Sequence, residues 1–386
     1  MAGVIRAYHD EKEKTVQTKP RVRNDAMPVG TAIDQGYTLP VAWYTDPAVY
    51  ASEQTQIFRR CWQYVGLVEQ VARPGDFFTC LVGEVPVIVT RDDTGAIQSF
   101  VNVCRHRGSQ LVGLDQGHCT VFQCAYHAWS YNLDGSLRAA PGMRDEPGFD
   151  REEFPLFAAQ TETWGPFIFV NLDLAAPSLR TMLAELPGFV EQTGAPLLDI
   201  KRRVRRVYDI EANWKAVVDN YLECYHCPVA HPGFTELIDV RDYTIREYDY
   251  FSTQTGPLKE SQSLYDASGG VTDGFYAFLW PNFTLNIYPG PGNVSLNLFL
   301  PLGPNRTRAI FEYCFVDAVG EQEENDFVAF IEQVQVEDIV LCESVQRGLR
   351  TGYLQQGKLM LRQERALQHF QRLVYQFLGD NPGRTT

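Results

Sequence analysis

The chain has 386 residues, 45% hydrophobic and 21% charged, with a formal net charge of −14. That length leaves room for two domains with substantial cores, and the acidic balance argues against a nucleic-acid partner, whose phosphates call for a positive surface. The N-terminal run MAGVIRAYHDEKEK has no apolar signal core, and the longest apolar runs, such as FIFV and YAFLW, are too short to span a bilayer. A cytoplasmic protein without a membrane partner is expected. Its nine cysteines should then be thiols or metal ligands rather than disulfides.

In chain order, residues 1–42 are polar and punctuated by Pro and Gly, and read as a loosely structured N-terminal arm. DPAVYASEQTQIFRRCW (46–62) reads as a helix opened by Pro47. Residues 75–103 alternate with period two and are rich in β-branched and aromatic residues, and short strands with turn signals continue to about 171. Residues 43–172 are therefore expected to form a small all-β domain. Leu179–Phe189 and Ala212–Tyr225 read as helices, 240–316 as β-rich, and EENDFVAFIEQVQVEDIVLCESVQRGL and GKLMLRQERALQHFQRLVYQFL as long helices. Residues 173–386 thus form a larger domain, an antiparallel sheet flanked by helices, and the fold class is α+β.

Two Cys/His pairs stand out in the first domain. Cys104-x-His106 and Cys124-x-x-His127 are separated by seventeen residues. Four such ligands suit a structural Cys2His2 zinc or a Rieske [2Fe–2S] cluster, with two thiolates on one iron and two imidazoles on the other. Zinc fingers group cysteines with cysteines and histidines with histidines, whereas here each loop offers one of each, which favours the cluster. His118 and Cys119 lie off the pattern.

In the second domain, LECYHCPVAH (222–231) gathers Glu223, Cys224, His226, Cys227 and His231. Helix period would put Glu223 and His226 on one face. Pro228 should break the helix and let His231 turn back towards His226. Two histidines and a carboxylate form the facial set that leaves positions open on Fe(II). The C-x-x-C pair, near the end of a helix already carrying carboxylates, suits neither a thioredoxin-like thiol site nor, without two further ligands, a zinc site.

The motifs C-x-H-R-G and C-x-x-H-x-W resemble those of the Rieske non-haem iron oxygenases, matching at Cys104, Arg105, His106, Arg107, Gly108, Cys124, Tyr126, His127 and Trp129. Ala128 departs from the family's usual Gly. NWKAVVDNYLECYHCPVAHPGF (213–234) resembles the family's mononuclear-iron segment. The resemblance implies a Rieske domain at 43–172 and a catalytic domain at 173–386. Cys104, His106, Cys124 and His127 would bind the cluster. His226 and His231 would bind iron, with a third ligand from the C-terminal helix: Asp338, with Glu337 and Glu343 as alternatives. Glu223 takes the place of the carboxylate linking one subunit's iron site to a cluster histidine, His127, of the next. The family usually has Asp there, and Glu resembles the subgroup acting on carnitine, choline and glycine betaine.

The implied cofactors are the [2Fe–2S] cluster, mononuclear Fe(II) and O2, with NAD(P)H electrons arriving through a separate flavin/iron–sulfur reductase. A head-to-tail homotrimer is implied as well. Among the aromatics of 275–299, Trp280, Phe283 and Tyr288 are candidates for the wall of a substrate site. The expected substrate is a quaternary ammonium compound hydroxylated next to nitrogen, with demethylation or C–N cleavage. An aromatic acid hydroxylated on its ring is the alternative, and a zinc-stabilised binding protein is the reading from another class.

Overall fold

The computed structural model describes residues 27–259, 268–380 and 382–383. The chain opens with α1 (Val29–Asp34), α2 (Ala42–Thr45) and α3 (Pro47–Glu53), and α3 runs on as a π-helical turn, Gln54–Phe58. Asp46 caps α3 by accepting the Ala48 N–H at 2.8 Å, with Pro47 in the first turn. Then come β1 (Gln63–Leu67), β2 (Asp76–Val82), β3 (Val85–Arg91), β4 (Ile97–Val101), β5 (Gln116–His118), β6 (Phe122–Gln123), β7 (Ser130–Tyr131), β8 (Leu137–Ala139), β9 (Ala158–Trp164) and β10 (Phe167–Asn171). Seven of these strands make one antiparallel sheet ordered β1-β10-β9-β4-β3-β2-β5, while β6, β7 and β8 make a small second one.

The second unit begins with α4 (Leu179–Leu183) and α5 (Leu186–Gln192). Next are β11 (Lys201–Ile210), α6 (Trp214–Tyr221), α7 (Cys227–Ala230), α8 (Pro232–Leu237), β12 (Thr244–Glu247), β13 (Phe251–Pro257), β14 (Asp273–Leu279), β15 (Phe283–Ile287), β16 (Val294–Gly303) and β17 (Arg306–Phe315). Two helices close it, α9 (Glu321–Leu349) and α10 (Arg365–Leu378). Its seven strands pair antiparallel in the order β11-β17-β16-β15-β14-β13-β12.

Both faces of this sheet are covered, which explains why runs such as GFYAFL read as almost continuously apolar. One face carries Phe275, Leu279, Phe283 and Leu285 onto Trp62, Tyr64, Phe167 and Phe169 of the first unit and onto α4 and α5. The other carries Tyr276, Phe278, Tyr288, Phe299 and Phe311 onto α6, α9 and α10.

The domain boundary differs from the expected one at residue 43. Ile33, Leu39, Trp43, Tyr44, Val49, Ile57 and Phe58 belong to the core of the second unit. Residues 27–42 are therefore anchored rather than loose, and the Leu39 N–H donates to Gln371 Oε1 on α10 at 2.8 Å. The remainder of the expected arm, 1–26, lies outside the described residues. Glu53 and Lys215 form a fully buried ion pair, and Trp214 Nε1 donates to Glu53 Oε2 at 2.8 Å. A buried pair of this kind is costly to break on one side, so α3 is fixed to α6, the helix that leads directly into LECYHCPVAH.

Candidate active site

The two Cys/His loops have the same backbone form. Cys104 N–H donates to Ser109 O and Gly108 N–H to Cys104 O, at 2.8 and 3.0 Å. Cys124 N–H donates to Trp129 O and Ala128 N–H to Cys124 O at the same two distances. Each loop closes through a left-handed residue at the equivalent position, Gly108 at φ +73° and Ala128 at φ +58°. Ala128 therefore holds a conformation that glycine takes at no steric cost.

Both cysteines are buried and both histidines are half-buried. The His106 and His127 rings lie 4.6 Å apart, and His106 stacks on Trp129 at 4.9 Å. Burial would raise the Cys124 thiol, but the Tyr126 and His127 N–H groups and the Cys104 and Ser109 side chains outweigh it and lower it. That environment favours a thiolate ligand, and His106 Nδ1 is buried with no partner.

The spread of the donors separates the two metal readings. Ligands of a single tetrahedral zinc, each about 2.0–2.3 Å from the ion, lie within about 4 Å of one another. Among the described residues, the one group of three or more His, Cys, Asp or Glu donors within 4.8 Å is His226, His231 and Asp338. The Cys/His set is thus too wide for one ion and fits a centre with two metals.

The second site is built by a turn, not by a continuing helix. Asn213 caps α6 by accepting the Lys215 N–H, and α6 stops at Tyr221, short of the expected Tyr225. The Glu223 carboxylate then accepts the N–H groups of Tyr225 and His226, and its Oε1 takes the His226 Nδ1–H at 2.5 Å. Pro228 sits in the first turn of α7 rather than ending a helix. His231, between α7 and α8, has φ −122° and ψ 69°. It precedes Pro232, which disfavours the helical region at the residue before it. That kink brings the His231 ring back to His226.

The Nε2 atoms of His226 and His231 are 3.0 Å apart. Asp338 Oδ1 lies 2.9 Å from His231 Nε2 and 3.4 Å from His226 Nε2. The Nδ1–H of His231 donates to Glu337 Oε2 at 2.7 Å. With both Nδ1 atoms donating to carboxylates, both Nε2 lone pairs face one point beside Asp338, an arrangement common to metal-binding histidines. Burial would lower His226, yet its bonds to Asp338 and Glu223 raise it to about 10. The site thus favours positive charge, as a cation would supply.

Beside this triad lies a cavity of about 110 Å³. At roughly 10–15 Å³ per water, it has room for several waters or one compact organic molecule. Its walls include Tyr221, Phe234, Tyr243, Tyr276, Tyr288 and Phe299, with Gln254, Asn286 and Asn297 among them. From α9 come Ile331, Gln335, Asp338 and Cys342, one face of a helix at spacings of four, three and four.

Comparison with known proteins matches residues 61–157 to the Rieske [2Fe-2S] domain and 197–380 to the catalytic domain of the ring-hydroxylating alpha subunit. The chain belongs to the Rieske non-haem iron oxygenases. Choline monooxygenase, chloroplastic, of Arabidopsis thaliana is 36% identical over 361 residues, covering 89% of the oxygenase described here and 83% of that relative. The carnitine monooxygenase oxygenase subunit of Escherichia coli (strain K12) is 32% identical over 356 residues, covering 90% and 95%. The crystal structure of a quaternary ammonium Rieske monooxygenase in complex with L-carnitine superposes with a TM-score of 0.81 at 30% identity, covering 92% and 99%. Enzymes of this family use a [2Fe–2S] cluster, mononuclear iron and O2, with electrons from a reductase.

Within this oxygenase, several expected residues lie elsewhere. Trp280 packs against Trp214, Phe370 and Phe377 in the helix-side core. Phe283 points to the opposite face and stacks on Tyr64 at 4.4 Å. Of the three candidate wall residues, Tyr288 alone lines the cavity: alternation sends Phe283 to the other face, while Trp280, on the same face as Tyr288, is taken up by Trp214, Phe370 and Phe377. Glu343 accepts the Glu211 N–H at 3.2 Å, away from the histidines. Cys224 and Cys227 are joined by a disulfide, with Cα atoms 4.9 Å apart. This corrects the expectation of free thiols: the turn after Glu223 brings the two sulfurs together, a proximity that reasoning from compartment alone missed. Gln254 and Asn297 were also missed. Each sits among other polar residues of its strand, Gln254 beside Thr253 and Thr255 and Asn297 two residues from Ser295, so nothing local in the sequence set them apart.

Proposed function

We propose that the protein is the terminal oxygenase of a quaternary ammonium monooxygenase system, hydroxylating its substrate at a carbon next to nitrogen. The carrying observation is the cavity beside His226, His231 and Asp338, walled by aromatic rings whose faces attract a cation. The Tyr276 and Tyr288 rings meet edge to face at 5.3 Å, and the Phe234 and Tyr276 centroids are 6.1 Å apart, so rings border the space from more than one side. The named substrates of the relatives, choline and carnitine, carry the same trimethylammonium group.

His226, His231 and Asp338 would hold the mononuclear iron, and Cys104, His106, Cys124 and His127 the cluster. When bound, these centres supply electrons and activate O2, so that one oxygen atom enters the substrate and the other leaves as water. The protein's own part is positional. Glu223 and Glu337 fix the tautomer and ring orientation of the two histidines. The rings hold the ammonium head while excluding water from the reacting carbon. A carbon hydroxylated next to the quaternary nitrogen then loses its hydroxyl proton as the C–N pair departs with nitrogen, giving an aldehyde, a tertiary amine and a proton.

In this reading Glu223 also carries the link between subunits of a head-to-tail homotrimer. The half-buried cluster histidines, beside the exposed Tyr126, and the exposed Val336, Val340 and Val345 on α9 support an interface there. Substrate-dependent aldehyde release and O2 uptake by the holoprotein with a reductase test the proposal. Turnover of neutral aromatic compounds with none of ammonium compounds would overturn it in favour of ring hydroxylation.

A further inference from the structure

We infer that the cavity selects ammonium ions whose tail ends in a neutral hydrogen-bond donor, and turns away those ending in a carboxylate, with Gln254 as the residue that discriminates. This rests on the ammonium reading above and adds the chemistry of the other end of the substrate.

Gln254, on β13, is 2% exposed and lines the cavity. Its Nε2 donates to the Tyr221 carbonyl at 3.1 Å. That bond fixes the amide's orientation, since a flipped amide would set oxygen against oxygen. Its Oε1 is therefore held as an acceptor, and it is buried with no partner. Asn297, on β16 and 5% exposed, likewise leaves Oδ1 buried without a partner on the cavity wall. Asn286 is already satisfied. Its Oδ1 accepts the Tyr221 hydroxyl at 2.6 Å, and its Nδ2 donates to Thr284 Oγ1 at 3.0 Å and Ser295 Oγ at 3.1 Å. Gln254 thus offers a ligand an acceptor oxygen held in place by its Nε2 bond, whereas among the described residues no side-chain bond orients the Asn297 amide, which can present either end.

No Lys or Arg lines the cavity among the described residues, and residues 260–267 contain neither. Of the cations nearby, Lys259 donates to the Thr235 carbonyl, Arg241 pairs with Asp239 at 2.5 Å and Arg365 with Glu247 at 2.5 Å, while Arg362 lines a neighbouring cleft rather than this cavity. A carboxylate brought against Gln254 would lose its water and meet the partial negative charge of Oε1, with no Lys or Arg among the described wall residues to offset it, a costly burial. A hydroxyl would give its proton to an acceptor that is otherwise buried unpaired. Sites with such an acceptor discriminate strongly against ligands lacking the matching donor.

The test is equilibrium binding to the holoprotein of three compounds with the same trimethylammonium head: choline, ethyltrimethylammonium and glycine betaine. Choline should bind about tenfold tighter than ethyltrimethylammonium, and glycine betaine weakest of the three. Gln254→Lys, which keeps a donor for the Tyr221 carbonyl and adds positive charge, should reverse the order of choline and glycine betaine. Glycine betaine binding as tightly as choline to the unmodified protein overturns the inference, whatever the folding of the variant. So does an unchanged ratio in folded Gln254→Lys. If none of the three binds while a neutral aromatic does, the ammonium reading itself falls, an outcome distinct from equal binding of all three.

Discussion

In the proposed iron site, replacing Glu337 by Gln separates an orienting carboxylate from a metal ligand, because Glu337 and Asp338 are adjacent in sequence yet reach different atoms of His231. Glu337 Oε2 meets Nδ1 at 2.7 Å, on the far side of the ring from Nε2, where Asp338 Oδ1 stands at 2.9 Å. Losing an orienting partner of a metal-binding histidine costs about 10- to 100-fold in metal affinity, or about 1.4–2.7 kcal/mol at 1.36 kcal/mol per factor of ten. Asp338→Asn removes a ligand outright and should leave little mononuclear iron bound after dialysis against a mild chelator. Iron content by competitive chelation, measured against the visible absorbance of the cluster, gives the comparison. The cluster ligands lie in the other domain, so that absorbance should be unchanged in both variants. Equal and complete iron loss from Glu337→Gln and Asp338→Asn would refute the division of roles, as would full retention by Asp338→Asn.

Asp219 gives a pH prediction. Burial lifts its carboxyl to about 7, against hydrogen bonds from Tyr44 and Gln371 that lower it. Its folded value thus lies near 7, well above the ordinary carboxylate range, so the native state binds this proton more tightly than the unfolded chain. The stabilisation is fully present below about pH 4 and is lost as pH rises through 7, up to about 4 kcal/mol from three units. Denaturant melts of Asp219→Asn should show a flatter slope over that window than the parent, and identical slopes would refute the assignment. At the cluster loops, Gly108→Ala should cost about 1 kcal/mol of stability, since no atom lies within 4 Å of the added methyl and backbone strain alone acts. Ala128→Gly should be nearly neutral, strain relief of about 1 kcal/mol being offset by unfolded-chain entropy of about 0.4–1 kcal/mol. Both variants should keep the cluster spectrum. Tyr288→Leu should raise the KM for an ammonium substrate roughly tenfold, in line with a desolvated cation–π contact of about 1–2 kcal/mol. Trp280→Phe should instead lower thermal stability and leave KM unchanged.

Much of the site was legible in sequence because its chemistry is local. Cys104 and His106, Cys124 and His127, and Glu223 and His226 each sit within a few residues, and a short loop cannot separate such neighbours far in space. Period-two alternation of β-branched and aromatic residues likewise marked 75–103 as strands. Local pattern misled where a turn replaced a helix. α6 ends at Tyr221 because Glu223 caps the following N–H groups with its own carboxylate, and the same turn joins Cys224 to Cys227.

What sequence by itself determined, then, was which Cys, His and carboxylate candidates share a loop. Tertiary structure decided which long-range partner completes each set. Asp338, Glu337 and Glu343 occupy one acidic stretch of one helix, and only the packing of α9 on α6 and α8 sends the first to the Nε2 atoms, the second to a ring's back and the third to a distant backbone N–H. The substrate walls were decided in the same way. In a sheet covered on both faces the apolar pattern no longer says which face a ring takes, so Phe283 and Tyr288, five residues apart, part company: one enters the seam between the domains, the other the cavity.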